Sequence, residues 1–323
     1  MATLSATEIV QDTLEAFKVR FPMLTSGNGF STDFSGSAAR YNDQIIAHVR
    51  TLPTVRSYDA TNGYQANGAE SSSLLTDIPV TLNNHSHVPV KIDHIDVLSS
   101  RKDLYRGAIA DMAFTLGKAI VDDALAEVKA ANFHYGANVT VTNTDKTTLD
   151  AATKKLNELG ASPMNRFAIV NSGFYNALEA DARIASGDFH GQQRTGNAYG
   201  SLQNVSGFAN VWEYPDLTTA AAESINAFCS ARGSVCIASR IPSDPSELAS
   251  SIGIPKIANF TPVTDPDSGL TLLGIEWMDA GTFDIWLTVT LIWGVTAGAN
   301  GGSAGAIMDK AGYRVCESGG TFS

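Results

Sequence analysis

The side chains best suited to chemistry in this chain are two histidines at alternate positions, His85 and His87, with Asp93, His94 and Asp96 just downstream. Alternate residues of a strand share a face, so His85 and His87 would present two imidazoles side by side, a donor type that zinc accepts. A metal centre needs further ligands held by local geometry, and this spacing fixes none. The pair therefore reads as the polar face of an exposed strand, and no metal or cofactor is expected. Asp265, Asp267 and Gly269 begin like a calcium loop, but the remaining oxygen ligands and the terminal Glu are missing, which leaves a surface turn.

The other candidates fail in similar ways. A phosphate-cradling loop needs Lys followed by Ser or Thr, whereas Gly117-Lys118 is followed by Ala119 inside a helical pattern. The glycines between Gly298 and Gly305 miss the order of a dinucleotide fingerprint and read as a flexible turn. Asn171-Ser172-Gly173 and the cysteines Cys229, Cys236 and Cys316 have no catalytic context; three cysteines without CxxC spacing make neither a disulfide framework nor a zinc site. Asp122, Asp123 and Glu127 cluster on the same helix as Lys118 and Lys129 and are expected on a solvated or intersubunit polar face. No catalytic residue is expected, and the chain reads as a non-enzyme.

Composition bounds what the elements around these residues can be. Charged residues are 17% of 323 and hydrophobic residues 44%, so a sizeable core can form while much of the surface lacks charge, as a large self-association area would. The net charge of −11, without any long basic run, lacks the electrostatic footprint of a nucleic-acid reader. The first ten residues have neither the basic start nor the apolar centre of a secretory signal, and no membrane span is expected.

Ser5 and Glu8 form a capping box before Val10, Leu14, Phe17 and Phe21, which predicts an N-terminal helix stopped by Pro22. Residues 26–37 read as an irregular arm pinned by Phe30 and Phe34. Ala38, Tyr41, Ile45 and Val49 predict a short helix ending near Pro53. Residues 54–77 read as a polar projecting loop. Ile78, Val80, Leu82, Val88, Val90 and Ile92 all lie on even positions and predict one long strand in a two-stranded arm. From 103 to 133 there is no proline, and Leu104, Ile109, Met112, Leu116, Ile120, Leu125 and Val128 predict a continuous helix of roughly 46 Å.

Beyond it, a helix over 147–159 stopped at Gly160, a strand over 166–171 and a helix over 173–182 make an α/β unit. Residues 186–207 read as a surface loop, followed by a strand over 208–214 and a small-residue helix over 231–238. Leu273, Ile275 and Trp277, then Phe283, Ile285, Leu287, Val289, Leu291 and Trp293, flank a turn at 279–281 and predict a long hairpin with one buried face.

This α+β order resembles the Hong Kong 97-type fold of tailed-bacteriophage major capsid proteins. The resemblance is carried by the run Pro79 to Ile92, by Arg166-Phe167-Ala168-Ile169-Val170-Asn171, by Gly200 to Phe208 and by Ala231-Arg232-Gly233-Ser234-Val235. It implies an N-arm at 1–50, an extended loop (E-loop) at 51–95, a peripheral domain at 96–174 with a spine helix at 103–133, an axial domain at 175–260, and C-terminal peripheral strands at 261–323. By that resemblance the chain would be a virion protein assembled in the bacterial host cytoplasm. It would form pentamers and hexamers of an icosahedral shell around double-stranded DNA that it does not bind sequence-specifically. Implied partners are further copies of itself, a portal and a separate scaffolding protein, with a decoration protein as an optional addition. The rival reading is an encapsulin-like shell that encloses enzymes.

Overall fold

In the computed structural model the chain is described at residues 6–25, 29–50, 58, 60–61, 75–92, 101–161, 163–181, 184, 201–220, 223–244, 258–279, 281–282, 284–297, 312–320 and 322. It divides into two compact units: Met1–Ile45, Pro79–Ala126 and Cys236–Thr296 make the first, and Ile46–Ile78, Glu127–Val235 and Ala297–Ser323 the second. These divisions do not coincide with the expected domain boundaries at 174/175 and 260/261.

In the first unit, helix α1 (Ala6–Arg20) carries Ile9, Val10, Leu14 and Phe17 on its buried face, as their spacing predicts. A single turn, α2 (Pro22–Thr25), follows it. The long helix α3 runs over Arg101–Ala126. Gly117 sits in its interior because any β-carbon there would collide with the Phe21 ring. The sheet of this unit is ordered β1 (Ser31–Ala39), β10 (Val235–Pro242), β13 (Ile285–Ala297), β12 (Thr271–Met278), β11 (Ala258–Thr264), and β4 (Asn84–Ile92) also pairs with β13. Helix α1 packs against α3, β11 and β12, and α3 against β4. Strands β2 (Gln44–Arg50) and β3 (Leu75–Thr81) form a separate two-stranded sheet.

In the second unit the sheet is ordered β5 (Tyr135–Asn138), β14 (Gly312–Cys316), β9 (Ile225–Ala231), β6 (Arg166–Val170), β8 (Phe208–Glu213), β7 (Ser201–Val205). Helices α4 (Lys146–Glu158) and α5 (Ser172–Ala180) supply Leu149, Leu156, Phe174 and Leu178 to one core. Each starts at a side-chain cap that the sequence reading did not name: Asp145 accepts from the amides of Thr147 and Thr148, and Asn171, expected at the end of a strand, from that of Phe174. Gly160, at φ 72°, ends α4 as expected. On the sheet's opposite side Phe133, Phe167, Trp212 and Phe228 pack edge-on or tilted at 5.0–6.5 Å between centroids. The short helix α6 (Leu217–Ala220) precedes β9.

Several elements differ from the sequence reading. Helix α3 ends at Ala126, not 133. There the Asn132 side chain donates to the Glu127 carbonyl at 2.8 Å, and Glu223 accepts from the Ala130 amide at 3.0 Å. These side chains stop the ladder, although the buried Val128 and Phe133 keep an apolar spacing. The even-numbered run 78–92 keeps its face but not its continuity. At Leu82 the backbone pairs with the turn at Asn42 and Asp43, and the chain passes from partner β2 to partner β13.

Residues 31–39 are not an irregular arm: they form β1, parallel to β10, with Phe30 and Phe34 buried as anchors. No helix forms over 38–49, because Ile45 and Val49, four apart, also share a face of a strand. Residues 231–238 turn between β9 and β10 through a Ser234-to-Ala231 backbone bond. Both strands are so deeply buried that their apolar run has no period to read. Residues 201–205, expected in a loop, are β7. The expected loops at 54–77 and 186–200 lie largely outside the described residues, as do Ser5 of the capping box and Phe283 of the hairpin.

Candidate functional site

The hairpin β12–β13 determines which side chains the first unit's sheet presents. Met278 pairs with Ile285, leaving six residues in the connection, so Leu273, Ile275 and Trp277 pair with Thr290, Thr288 and Trp286. Even positions of β13 therefore share a face with odd positions of β12. The expected single apolar face built from odd positions on both strands does not exist, because a shorter turn had been assumed and a shift of one residue exchanges the faces. Both faces of the hairpin are apolar. Gly274 marks the helix-covered face: a β-carbon on it would meet Val10 of α1. Leu287, Val289, Leu291 and Trp293 lie on that side and are buried.

The opposite face holds a cavity of about 350 Å³ lined by His85, His87, Phe260, Ile275, Trp277 and Thr288, among others. Trp277 and Trp286 stack across the hairpin at 6.0 Å and 4°. Thr290 donates to the Ser86 carbonyl at 3.0 Å, so its oxygen accepts from Nε2 of His85, also at 3.0 Å. This assigns the ring proton to Nε2 and leaves Nδ1 as an acceptor. Desolvation of the His85 ring, then the neighbouring His87, lowers its pKa below the ordinary value and favours this neutral form. Thr288 is buried, and its hydroxyl has no hydrogen-bond partner among the described residues. Sequence reasoning found the two histidines but missed Thr288, Thr290 and Phe260, because only the strand register brings them onto that face.

His85 and His87 do share a face, as their spacing predicts, but among the described residues no group of three or more His, Cys, Asp or Glu side chains could hold a metal ion. Asp93, His94 and Asp96 lie outside the described residues. The carboxylate cluster on α3 is not uniformly solvated. Lys118 pairs with Asp122 at 3.2 Å, whereas Asp123 is turned inward and accepts from Trp293 Nε1 at 2.8 Å and Asn84 Nδ2 at 2.9 Å. Burial, followed by Asp122, raises the Asp123 pKa against the pull of the Trp293 bond. Glu127 falls beyond the helix end.

The Asp265–Gly269 segment is the expected turn. Its carboxylates are occupied by Lys18 of α1, at 2.8 Å to Asp265 and 3.1 Å to Asp267, and Ser268 also donates to Asp265. The three cysteines are buried and unpaired in disulfides, and burial pushes Cys316 up to about 11, away from thiolate chemistry. In the second unit the fully buried Arg314 is held by Glu223 and by the Phe133 carbonyl, with Phe322 against its guanidinium. Gly301, Ser303 and Gly305 satisfy the order GxSxG of a nucleophile elbow, which the reading of that run as a flexible turn overlooked. The run lies outside the described residues. Among the described residues no helix is long and apolar enough to cross a membrane.

No family model and no curated protein matches the sequence. Solved structures do match. The capsid structure of cyanophage P-SCSP1u shares 11% identity at a TM-score of 0.51, covering 88% of this chain and 85% of that one. The capsid of Ralstonia phage GP4 shares 10% identity at a TM-score of 0.50, covering 93% of this chain and 91% of that one. The chain therefore has the α+β fold of phage capsid subunits.

Proposed function

We propose that this chain is the major capsid protein of a tailed bacteriophage, a non-enzymatic virion subunit that assembles into pentamers and hexamers of an icosahedral head around double-stranded DNA. The observation that carries the reading is the likeness to the Ralstonia phage GP4 capsid over 93% of this chain. The acidic balance of 33 Asp and Glu against 22 Lys and Arg suits a container, since a basic inner wall would bind the genome through counterion release. In this reading the first unit, with α3 as the spine helix, is the peripheral domain. Residues 127–235 and 297–323 of the second unit form the axial domain around which capsomers close. Of the expected N-arm at 1–50 and extended loop at 51–95, α1, β1 and β4 are built into the first unit, so the segment between β2 and β3 is the part that acts as an extended loop reaching neighbours. A portal and a separate scaffolding protein complete the assembly, which takes place in the host cytoplasm.

Electron microscopy of the purified protein, alone and after co-expression with a scaffolding protein from the same genome, tests this reading. Closed shells are expected. Persistent monomers under both conditions would overturn it, and shells filled with an enzyme instead of DNA in the native host would favour the encapsulin-like reading.

A further inference from the structure

We propose that residues 317–320 of the second unit, with Phe322, are a strap that opens in the folded subunit over the buried ion pair of Glu223 and Arg314, and that this pair latches the turn following α3. The proposal concerns the subunit alone and stands or falls separately from the shell reading.

What lies beneath the strap is unfavourable to keep from water. The Arg314 side chain is fully buried; its Nε donates to the Phe133 carbonyl at 2.7 Å and its Nη1 to Oε2 of Glu223. The other oxygen of Glu223 accepts from the Ala130 amide at 3.0 Å, so one carboxylate ties β14 to the turn after α3. Cys316 is buried beside the pair, its Sγ 3.7 Å from Glu223 Oε2 and 4.0 Å from Arg314 Nη1. Charges withdrawn from water carry a desolvation penalty that close pairing must offset, and rehydration relieves it.

The cover itself is held lightly. Residues 317–319 are exposed, and the described residues after Cys316 form neither helix nor strand. The Glu317 amide donates to the Ser224 carbonyl at 2.9 Å. Gly320 and Asn138 bond reciprocally: the Gly320 amide donates to Asn138 Oδ1 at 3.1 Å, and Asn138 Nδ2 to the Gly320 carbonyl at 3.2 Å, both exposed to solvent. Phe322 lies with its ring centre 5.0 Å from the guanidinium carbon of Arg314. The ring has a built berth, because a β-carbon on Gly136 or Gly320 would collide with it, and one on Gly320 would also press on Cys316 Sγ. A few exposed bonds and one cation–π contact thus seal a pair that gains hydration when the seal lifts. Such an arrangement opens locally, below the free energy of global unfolding.

Cys316, beneath Gly320, is a native probe of the strap. The full-length subunit is treated with N-ethylmaleimide in native buffer and over a denaturant series, and the labelling rate of each cysteine is read by peptide mass spectrometry. Cys229 on β9 of the same sheet and Cys236 on β10 of the first unit are also buried and report unfolding of their own units. Cys316 is expected to label at least about tenfold faster than either, with little dependence on denaturant. A Cys316 rate equal to or below that of Cys229, rising in step with it as denaturant is added, would mean that the strap opens only with the whole sheet and would overturn the proposal.

Two variants sharpen the result. Phe322→Ala should raise the Cys316 rate by about tenfold and Asn138→Ala by a smaller factor, with Cys229 labelled at its wild-type rate in both. Should Phe322→Ala loosen the whole sheet, Cys229 rises with Cys316, and Asn138→Ala, which removes only the two exposed bonds to Gly320, decides. A Cys316 rate unmoved by Asn138→Ala and by a stably folded Phe322→Ala would overturn the strap. The Ala130 amide, whose acceptor is Glu223, should exchange with deuterium faster by a similar factor wherever Cys316 labels faster. Faster Cys316 labelling with Ala130 exchange unchanged would overturn the latch on the turn after α3.

Discussion

The two six-stranded sheets are built from similar strands and differ in how they are finished. In the second unit, β6, β9 and β14 are buried at every position, with α4 and α5 over one face and the Phe133, Phe167, Trp212 and Phe228 cluster over the other. In the first unit the helices cover one face, and the other keeps Ile275, Trp277 and Trp286 partly exposed. A domain that meets its needs internally looks like the second sheet, and one that reserves apolar area for a partner looks like the first. The low charged fraction of the chain is thus concentrated in meaning: it describes one face more than the whole surface.

The sharpest way to break this comparison is to remove one large side chain from each sheet. Phe228 is fully buried and touches both Phe133 and Phe167, so Phe228→Ala should cost about 3–5 kcal/mol in chemical denaturation of the subunit. Ile275→Ala, on the open face, should cost less, about 1–2 kcal/mol in the same measurement, because part of its side chain is still in water. Equal losses would mean that the two sheets are finished alike.

A smaller effect probes the covered face of the first sheet. Gly117 has Phe21 where a methyl group would go, and Phe21 in turn packs on Phe17 at 5.6 Å. Helix propensity alone favours Gly117→Ala by roughly 1 kcal/mol, yet the collision should reverse the sign and leave a net loss of about 1–2 kcal/mol. Thermal unfolding that rises in this variant would show α1 to be more loosely seated than the contacts indicate.

Lys18 and Asp265 hold the same end of α1 to the β11–β12 turn. Desolvation alone would raise the Asp265 pKa, but the Lys18 ammonium and the Ser268 donors outweigh it and hold the carboxyl below its ordinary value. An acid depressed in the folded state adds stability above its unfolded pKa, near 3.9, and loses it as pH falls through the folded value. The same pair raises Lys18, whose contribution is complete below its ordinary pKa and lost only as pH rises through the higher folded value. Asp265→Asn should therefore cost about 1 kcal/mol at neutral pH and flatten the acid limb of a stability–pH curve. An acid limb unchanged in the variant would assign the acid sensitivity to other carboxylates.

The order of elements was legible because α1, α4 and α5 are local features, written in side-chain spacing, and Gly160 marks the end of α4. What could not be read was decided across the chain. The end of α3 depends on Glu223, nearly a hundred positions away. The break at Leu82 depends on the turn at Asp43. The open face depends on the parity of a connection between β12 and β13 that composition does not reveal. His85 and His87 were visible as a pair, but Thr288, the group that makes the face a site, is one of many threonines until register places it.

Asp123 offers the finest test of how the covered face is held. Its carboxylate joins α3 to β4 through Asn84 and to β13 through Trp293, in a setting whose burial raises its pKa. An acid with a raised folded pKa binds its proton more readily in the folded state, so stability falls as pH rises from the ordinary carboxylate value through the folded one. Asp123→Asn keeps an oxygen that can accept from both Trp293 and Asn84, which share Oδ2, but removes the charge. The variant should lie within about 0.5 kcal/mol of the wild type at pH 4 and lose the decline seen above it. A variant that instead loses stability at every pH would show that the acid, protonated or ionised, fastens the helix to the covered face in a way the amide cannot replace.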